Sequence, residues 1–238
     1  MKPLSYDLHI HSCLSPCGDD EMTPANIVGM AKILGLDVVA LTDHNTSKNC
    51  PAFKAAAEEY GITPLFGMEL TTSEEVHVLC LFDTLEKALA FDEYVFPRIP
   101  DIPNNPEFFG NQIIYNAEDE ICGHIDKLLI SATDISFDDS YDLVDGFGGI
   151  MIPAHINMAT TSLLGNLGFI PFDSKFKTVE IREKDNREEL INKYPYLSDC
   201  RFITDSDAHA LHIIQEPTHF MHPKSSNTSD IIEYLKNR

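Results

Sequence analysis

The chain has 238 residues, with 17 Lys plus Arg against 38 Asp plus Glu and a formal charge of −21. That length suits one large α/β domain or two small ones with a substantial core, and the acidic balance argues against a surface that holds long duplex nucleic acid by counterion release. The start shows no basic segment followed by an apolar one, no apolar run is long enough to span a bilayer, and the scattered cysteines at 13, 17, 50, 80, 122 and 200 lack zinc-finger spacing; the expectation is a cytoplasmic protein with reduced thiols and no membrane partner.

Taken in chain order, YDLHIHSCLSPCGDD (6–20) comes first. As a strand it sends Asp7, His9 and His11 to one face and Leu8 and Ile10 to the other. Two imidazoles side by side can chelate a divalent cation, and a nearby carboxylate can hold one ring by its second nitrogen. A half-buried strand with polar residues turned to solvent fits the same stretch, which alone does not decide. Thr23-Pro24 then opens a helix with an apolar stripe at Ile27, Met30, Ala31 and Leu34, closed by Gly35. LDVVALT (36–42) is a buried strand, and PAFKAAAEEY is a helix ending at Gly61. ITPLFGMEL and EVHVLCLF are strands, followed by a helix at TLEKALAFDEYVF.

From 97 to 149 the rhythm breaks. RIPDIPNNPEFFGN is rich in proline and asparagine, and the whole stretch is read as an insertion, a cap over the site's mouth, within a single domain spanning 1–238. Its Phe108, Phe109 and Tyr115 suit either packing of that cap or stacking on a base, with packing preferred. GIMIPAH, TVEIR and RFITDSDAH resume as strands, and NTSDIIEYLKNR is a capped C-terminal helix. Alternation of this kind signals a parallel sheet or barrel.

The remaining histidines and carboxylates fall at strand ends. Thr42-Asp43-His44 closes the second strand, Gly67-Met68-Glu69 the third, Pro153-Ala154-His155 a later one and Asp205-Ser206-Asp207-Ala208-His209 the last, while His77 sits in the fourth. In a βα barrel the carboxyl ends converge on one face, where such folds place their chemistry.

The ordered set DLHIHS, TDHN, GMEL with His77, PAH and SDAH resembles the PHP family, named for polymerase and histidinol phosphatase, and within it the small stand-alone metal-dependent phosphoesterases. The resemblance spans residues 6 to 209 and is weakest over 97–149. It implies an α/β fold, a distorted (β/α)7 barrel with a small inserted cap region, holding up to three divalent ions of zinc, manganese or iron. By that pattern His9, His11, Glu69 and Asp207 hold the first ion. Glu69, His77 and His155 hold the second. His44 and His209 hold the third, with one ligand from the loop after His11. That loop departs from the family's pattern, leaving Cys17, Asp19 and Asp20 open for the last place, with Asp19 preferred to Cys17.

Asp7 and Asp43 are expected to orient histidines, and Arg182 to grip a second phosphate or a carboxylate. The implied activity is hydrolysis of a small phosphorylated molecule, nucleotide or short oligonucleotide by a metal-bridging hydroxide, with no protein nucleophile. A non-catalytic metal-binding module and an amidohydrolase are the alternatives. The oligomeric state is not readable from the sequence.

Overall fold

A computed structural model of the chain describes residues 2–182 and 187–237. Its first three strands, β1 (Leu4–Asp7), β2 (Val38–Leu41) and β3 (Thr63–Thr71), run parallel, connected by α1 (Pro24–Leu34) and α2 (Cys50–Tyr60). Local chemistry sets the boundaries of α1. Thr23 Oγ1 accepts the Asn26 N–H at 3.2 Å, Pro24 occupies the first turn, and Gly35 ends the helix at φ 84°.

After β3 the chain turns back, and β4 (His77–Phe82) pairs antiparallel to it, with His77 opposite Thr71. This reversal is what the sequence pattern did not show. Because β4 runs the other way, its first residue lies at the same end of the barrel as the last residues of its neighbours, so His77 reaches the mouth from a strand start. Next come α3 (Leu85–Val95), the hairpin β5 (Ile113–Tyr115) and β6 (Ile121–His124), α4 (Phe137–Gly146) and β7 (Ile150–Pro153), the last antiparallel to β4. β8 (Thr178–Glu180), α5 (Arg187–Lys193), β9 (Arg201–Ile203), β10 (Phe220–Met221) and α6 (Thr228–Lys236) complete the chain.

The main sheet has the order β10-β1-β2-β3-β4-β7, and β8 and β9 form a separate parallel pair. Backbone hydrogen bonds join the two into a barrel. Ile156 N–H donates to Glu180 O at 2.9 Å, His11 N–H to Ala208 O at 3.0 Å and Ala208 N–H to His9 O at 3.3 Å. The architecture is thus the expected α/β barrel, distorted by two reversed strands, β4 within the wall and β10, which pairs antiparallel with β1.

Two apolar layers flank the wall. Val39, Leu41, Met68, Val78 and Cys80 pack against the outer helices, while Leu8, Val38, Leu65, Leu79 and Ile152 join Ile231, Ile232 and Leu235 of α6 on the other face. Asn227 takes the position before α6, yet its side chain makes no capping bond, so the helix is held by that apolar face instead. Beyond Asp7 the first strand leaves its ladder, and Leu8 and Ile10 go to different layers rather than to one face.

The stretch 97–149 divides in two. Its first part rests on the loops after β1 and β2: Ile113 N–H donates to Cys13 O at 3.1 Å, and Asn45 Nδ2 donates to Leu129 O at 2.6 Å and Ser131 O at 2.9 Å. Its second part, α4, buries Phe137 and Val144 in the outer layer as α1 to α3 bury their own apolar faces. Among the described residues no helix is long and apolar enough to cross a membrane.

Candidate metal centre

Glu69 lies buried at the end of β3 with five imidazoles around its carboxylate. Oε1 is 2.8 Å from His77 Nδ1, 3.0 Å from His155 Nε2 and 3.3 Å from His9 Nε2. Oε2 is 3.1 Å from His44 Nδ1 and 3.4 Å from His11 Nε2. Burial opposes ionisation here, but the imidazoles of His77, His9 and His44 hold the carboxyl well below its ordinary range.

The donors separate into overlapping groups: His9, His11 and Glu69; His44, Glu69 and His77; and His11, His44 and His209. Asp207 adds to the first, its Oδ1 lying 3.4 Å from both His9 Nε2 and His11 Nε2, which are themselves 3.1 Å apart. Four donors about 2.0–2.2 Å from one ion at tetrahedral corners lie roughly 3.3–3.5 Å from one another. Around this centre the donor separations run from 3.1 to 3.4 Å.

Neighbouring groups aim the rings. Glu180, fully buried on β8, places both carboxylate oxygens on His9 Nδ1, at 3.1 and 3.0 Å, and its Oε2 accepts the His155 N–H at 2.9 Å. A carboxylate can only accept, so His9 Nδ1 carries the proton and Nε2 turns its lone pair to the centre. His11 is fixed in the same sense. Ser15 Oγ donates to Asp43 Oδ1 at 2.8 Å and so accepts from His11 Nδ1 at 3.0 Å and from the His44 N–H at 3.1 Å.

The metal-free charge balance is uneven. Burial, reinforced by neighbouring His209, lowers the His11 pKa to about 4. Burial works the same way on His9, yet Glu180, Asp207 and Glu69 raise it well above the ordinary histidine value. His44 Nδ1 and His155 Nδ1 are buried without a hydrogen-bond partner. His44 Nδ1 lies 3.1 Å from Glu69 Oε2 without a properly aligned hydrogen bond, and five buried imidazoles crowded on one carboxylate suit cations as partners. The residues present therefore fit divalent ions with nitrogen and oxygen ligands.

Backbone strain collects at the same place. His155 at φ 29° and Asp207 at φ 51° are non-glycine residues in the left-handed region, as is Asn45 at φ 53° beside His44. Each such conformation costs about 1–3 kcal/mol and persists where surrounding bonds hold it; for His155 that bond is the one to Glu180.

Several sequence expectations meet different surroundings. Asp7 does not touch the His9 ring: its Oδ1 accepts the Ser206 N–H at 3.1 Å, and burial first of all raises its pKa to about 6. Beyond Asp7 the strand leaves the ladder, and the ring turns to Glu180 instead. Asp43 reaches His11 through Ser15, as above. None of Cys17, Asp19 and Asp20 joins the donor groups among the described residues; the third group is completed by His11. Asp19 Oδ1 accepts the Glu21 N–H at 2.8 Å, and Asp20 takes the Asn111 side chain at 3.2 Å. Arg182 stands at the mouth with Nη1 3.2 Å from Asp207 Oδ2 and 3.3 Å from Ser206 O. Sequence reasoning did not single out Glu180, although a carboxylate in the middle of TVEIR, two residues before Arg182, carried the signal.

A distorted α/β barrel whose mouth gathers histidines and carboxylates able to hold divalent ions defines the class of barrel-fold, metal-dependent hydrolases. The chain belongs to the PHP domain family, whose model matches residues 7–158. It is 37% identical over 79 residues to a 5'-3' exoribonuclease of Haemophilus influenzae, a stretch covering 32% of this chain and 28% of that protein. The fold is shared with the lesion-specific endonuclease EndoQ of Pyrococcus furiosus, at TM-score 0.66 and 19% identity over 99% of this chain and 56% of that one. It is shared as well with a Bifidobacterium adolescentis protein assigned as a metal-dependent phosphoesterase, at TM-score 0.60 and 19% identity over 98% and 96% of the two chains. Endonuclease Q is also known in complex with a 27-mer duplex bearing an abasic lesion at the active site. The chain spans less than two thirds of the length of the curated relatives it matches.

Proposed function

We propose that the protein is a metal-dependent phosphoesterase acting on a nucleotide or oligonucleotide. The observation that carries the reading is the pair His9 Nε2 and His11 Nε2, 3.1 Å apart, each facing a Glu69 oxygen at 3.3 to 3.4 Å and Asp207 Oδ1 at 3.4 Å. Glu69 would be shared with a second ion held by His77 and His155, and His44 and His209 would hold a third with His11. Bound divalent cations supply an acidified water and neutralise phosphate oxygens.

The chain's own residues prepare that chemistry. Glu180 and the Asp43–Ser15 pair fix the two rings of the first site, and Arg182, tethered to Asp207, presents a cation at the mouth for a phosphate oxygen. The hydroxyls of Ser12 and Ser15 are fully buried and committed to Asp43, away from solvent and from an incoming substrate. The Cys17 residue reaches solvent, but its thiol is set among packed atoms and, with Glu69 adding to that, is pushed up to about 12. These surroundings support a reaction without a protein nucleophile.

The relatives bring nucleic acid into the substrate class. The exclusion of long duplexes on net charge loses its support, because an enzyme of the same fold is seen on a 27-mer duplex. A panel of mononucleotides, dinucleotides and phosphorylated metabolites, offered to protein reconstituted separately with Mn²⁺, Zn²⁺ and Fe²⁺, tests the reading.

The donor grouping also makes a prediction about metal content. Cys17→Ser and Asp19→Asn are both expected to retain the wild-type number of ions by elemental analysis. Loss of one equivalent in either variant would return the third site to the loop after His11.

A further inference from the structure

Two exposed aromatic rings stand on a turn that is hydrogen-bonded to the loop after His11. Phe108 is 81% exposed and Phe109 39%, contrary to the packing role expected from sequence. Their turn is firmly built. Asn105 O accepts both the Phe108 and Phe109 N–H, at 3.0 and 2.9 Å, and Asn104 Nδ2 donates to Gly110 O at 2.9 Å. Gly110 N–H donates to Pro16 O at 2.5 Å, and a Cβ on this glycine would lie 3.1 Å from that oxygen. Close approach thus seats the aromatic turn on the loop 12–20. The same loop is bonded to the centre: Asp19 N–H donates to His209 O at 2.9 Å, and Ser15 accepts from His11 at 3.0 Å.

An apolar surface fixed at this position has a restricted choice of ligand. With 38 acidic against 17 basic residues, the chain has fewer cations than anions to offer a phosphate backbone. Contacts to the π-face of a base would add to those made at the phosphate. Stacking on aromatic side chains is tolerant of base identity and needs no positive charge.

We propose that Phe108 and Phe109 form a stacking platform for a nucleobase of the substrate, next to the phosphate held at the centre. The proposal rests on the phosphoesterase reading and narrows it to substrates with an unpaired base beside the scissile bond.

The test compares a dinucleotide with its counterpart lacking the base, using Mn²⁺-loaded wild type, the Phe108→Ala/Phe109→Ala double variant and a Phe172→Ala control, whose ring is 97% exposed elsewhere. The double variant should lose about tenfold in kcat/KM on the dinucleotide, mainly through KM. Its activity on the baseless compound, and the control's activity on both, should stay unchanged. Equal losses on the two compounds, an undiminished rate on the dinucleotide, or a wild type that prefers the baseless compound would each overturn the platform while leaving the phosphoesterase reading intact. A change from dimer to monomer in the double variant would assign the surface to a second copy and likewise overturn it. A wild type that cleaves neither compound with any metal fails the phosphoesterase reading first.

Discussion

Glu69→Gln is expected to reduce phosphoester hydrolysis by about a thousandfold or more, equivalent to roughly 4 kcal/mol of lost transition-state stabilisation. The amide keeps the shape of the side chain and removes its charge. In the native site that charge faces five imidazoles at 2.8 to 3.4 Å, and in the proposed site it would be shared between two ions. Without it, at least two equivalents of metal should be lost together. The metal-free variant should also be less stable, since removing one partner of a buried charge cluster costs about 3–5 kcal/mol. Circular dichroism at 25 °C should still show the native α/β signal, so the activity loss is not an unfolding effect. A Glu69→Gln protein with full metal content and wild-type turnover would contradict the assignment.

Glu180→Ala should have the next largest effect, although Glu180 belongs to no donor group. Its carboxylate accepts from His9 Nδ1 and also holds the strained His155 backbone. Deleting it leaves a buried ring N–H and a buried peptide N–H without acceptors, at about 1–3 kcal/mol each. Groups that orient metal-ligating histidines typically change metal affinity or activity by about 10–100-fold when mutated. Weaker metal binding measured by calorimetry, with the lowered thermal midpoint of the ion-free protein, would identify a positioning role. Unchanged metal affinity beside lowered stability would mean that Glu180 serves only the fold.

Much of this site could be read from sequence because metal ligands are local in type and ordered in sequence. His9 and His11, His44, Glu69, His155, Asp207 and His209 each stand at or just past a strand's end, and the barrel gathers such ends on one face. What was not legible depends on direction and long-range contact. His77 was visible as a strand residue, but its place at the mouth follows from the antiparallel run of β4, which periodicity cannot reveal. The partner of His9 was sought two residues away at Asp7, whereas the fold supplies Glu180 from 171 positions along the chain. The loop after His11 looked like a source of ligands, yet its aspartates are engaged in a turn and with Asn111. The exposure of Phe108 was equally hidden, since an aromatic in a proline-rich segment has the composition of a packed cap.

In the proposed function, divalent ions bound at this mouth carry phosphoester hydrolysis. The most direct measurement is the rate of dinucleotide hydrolysis by protein stripped of metal with a chelator, dialysed, and then titrated with Mn²⁺ while bound metal is counted. The stripped protein should show no turnover, and activity should rise with the ions bound, in wild type but not in Glu69→Gln. Undiminished hydrolysis by the metal-free protein would contradict it.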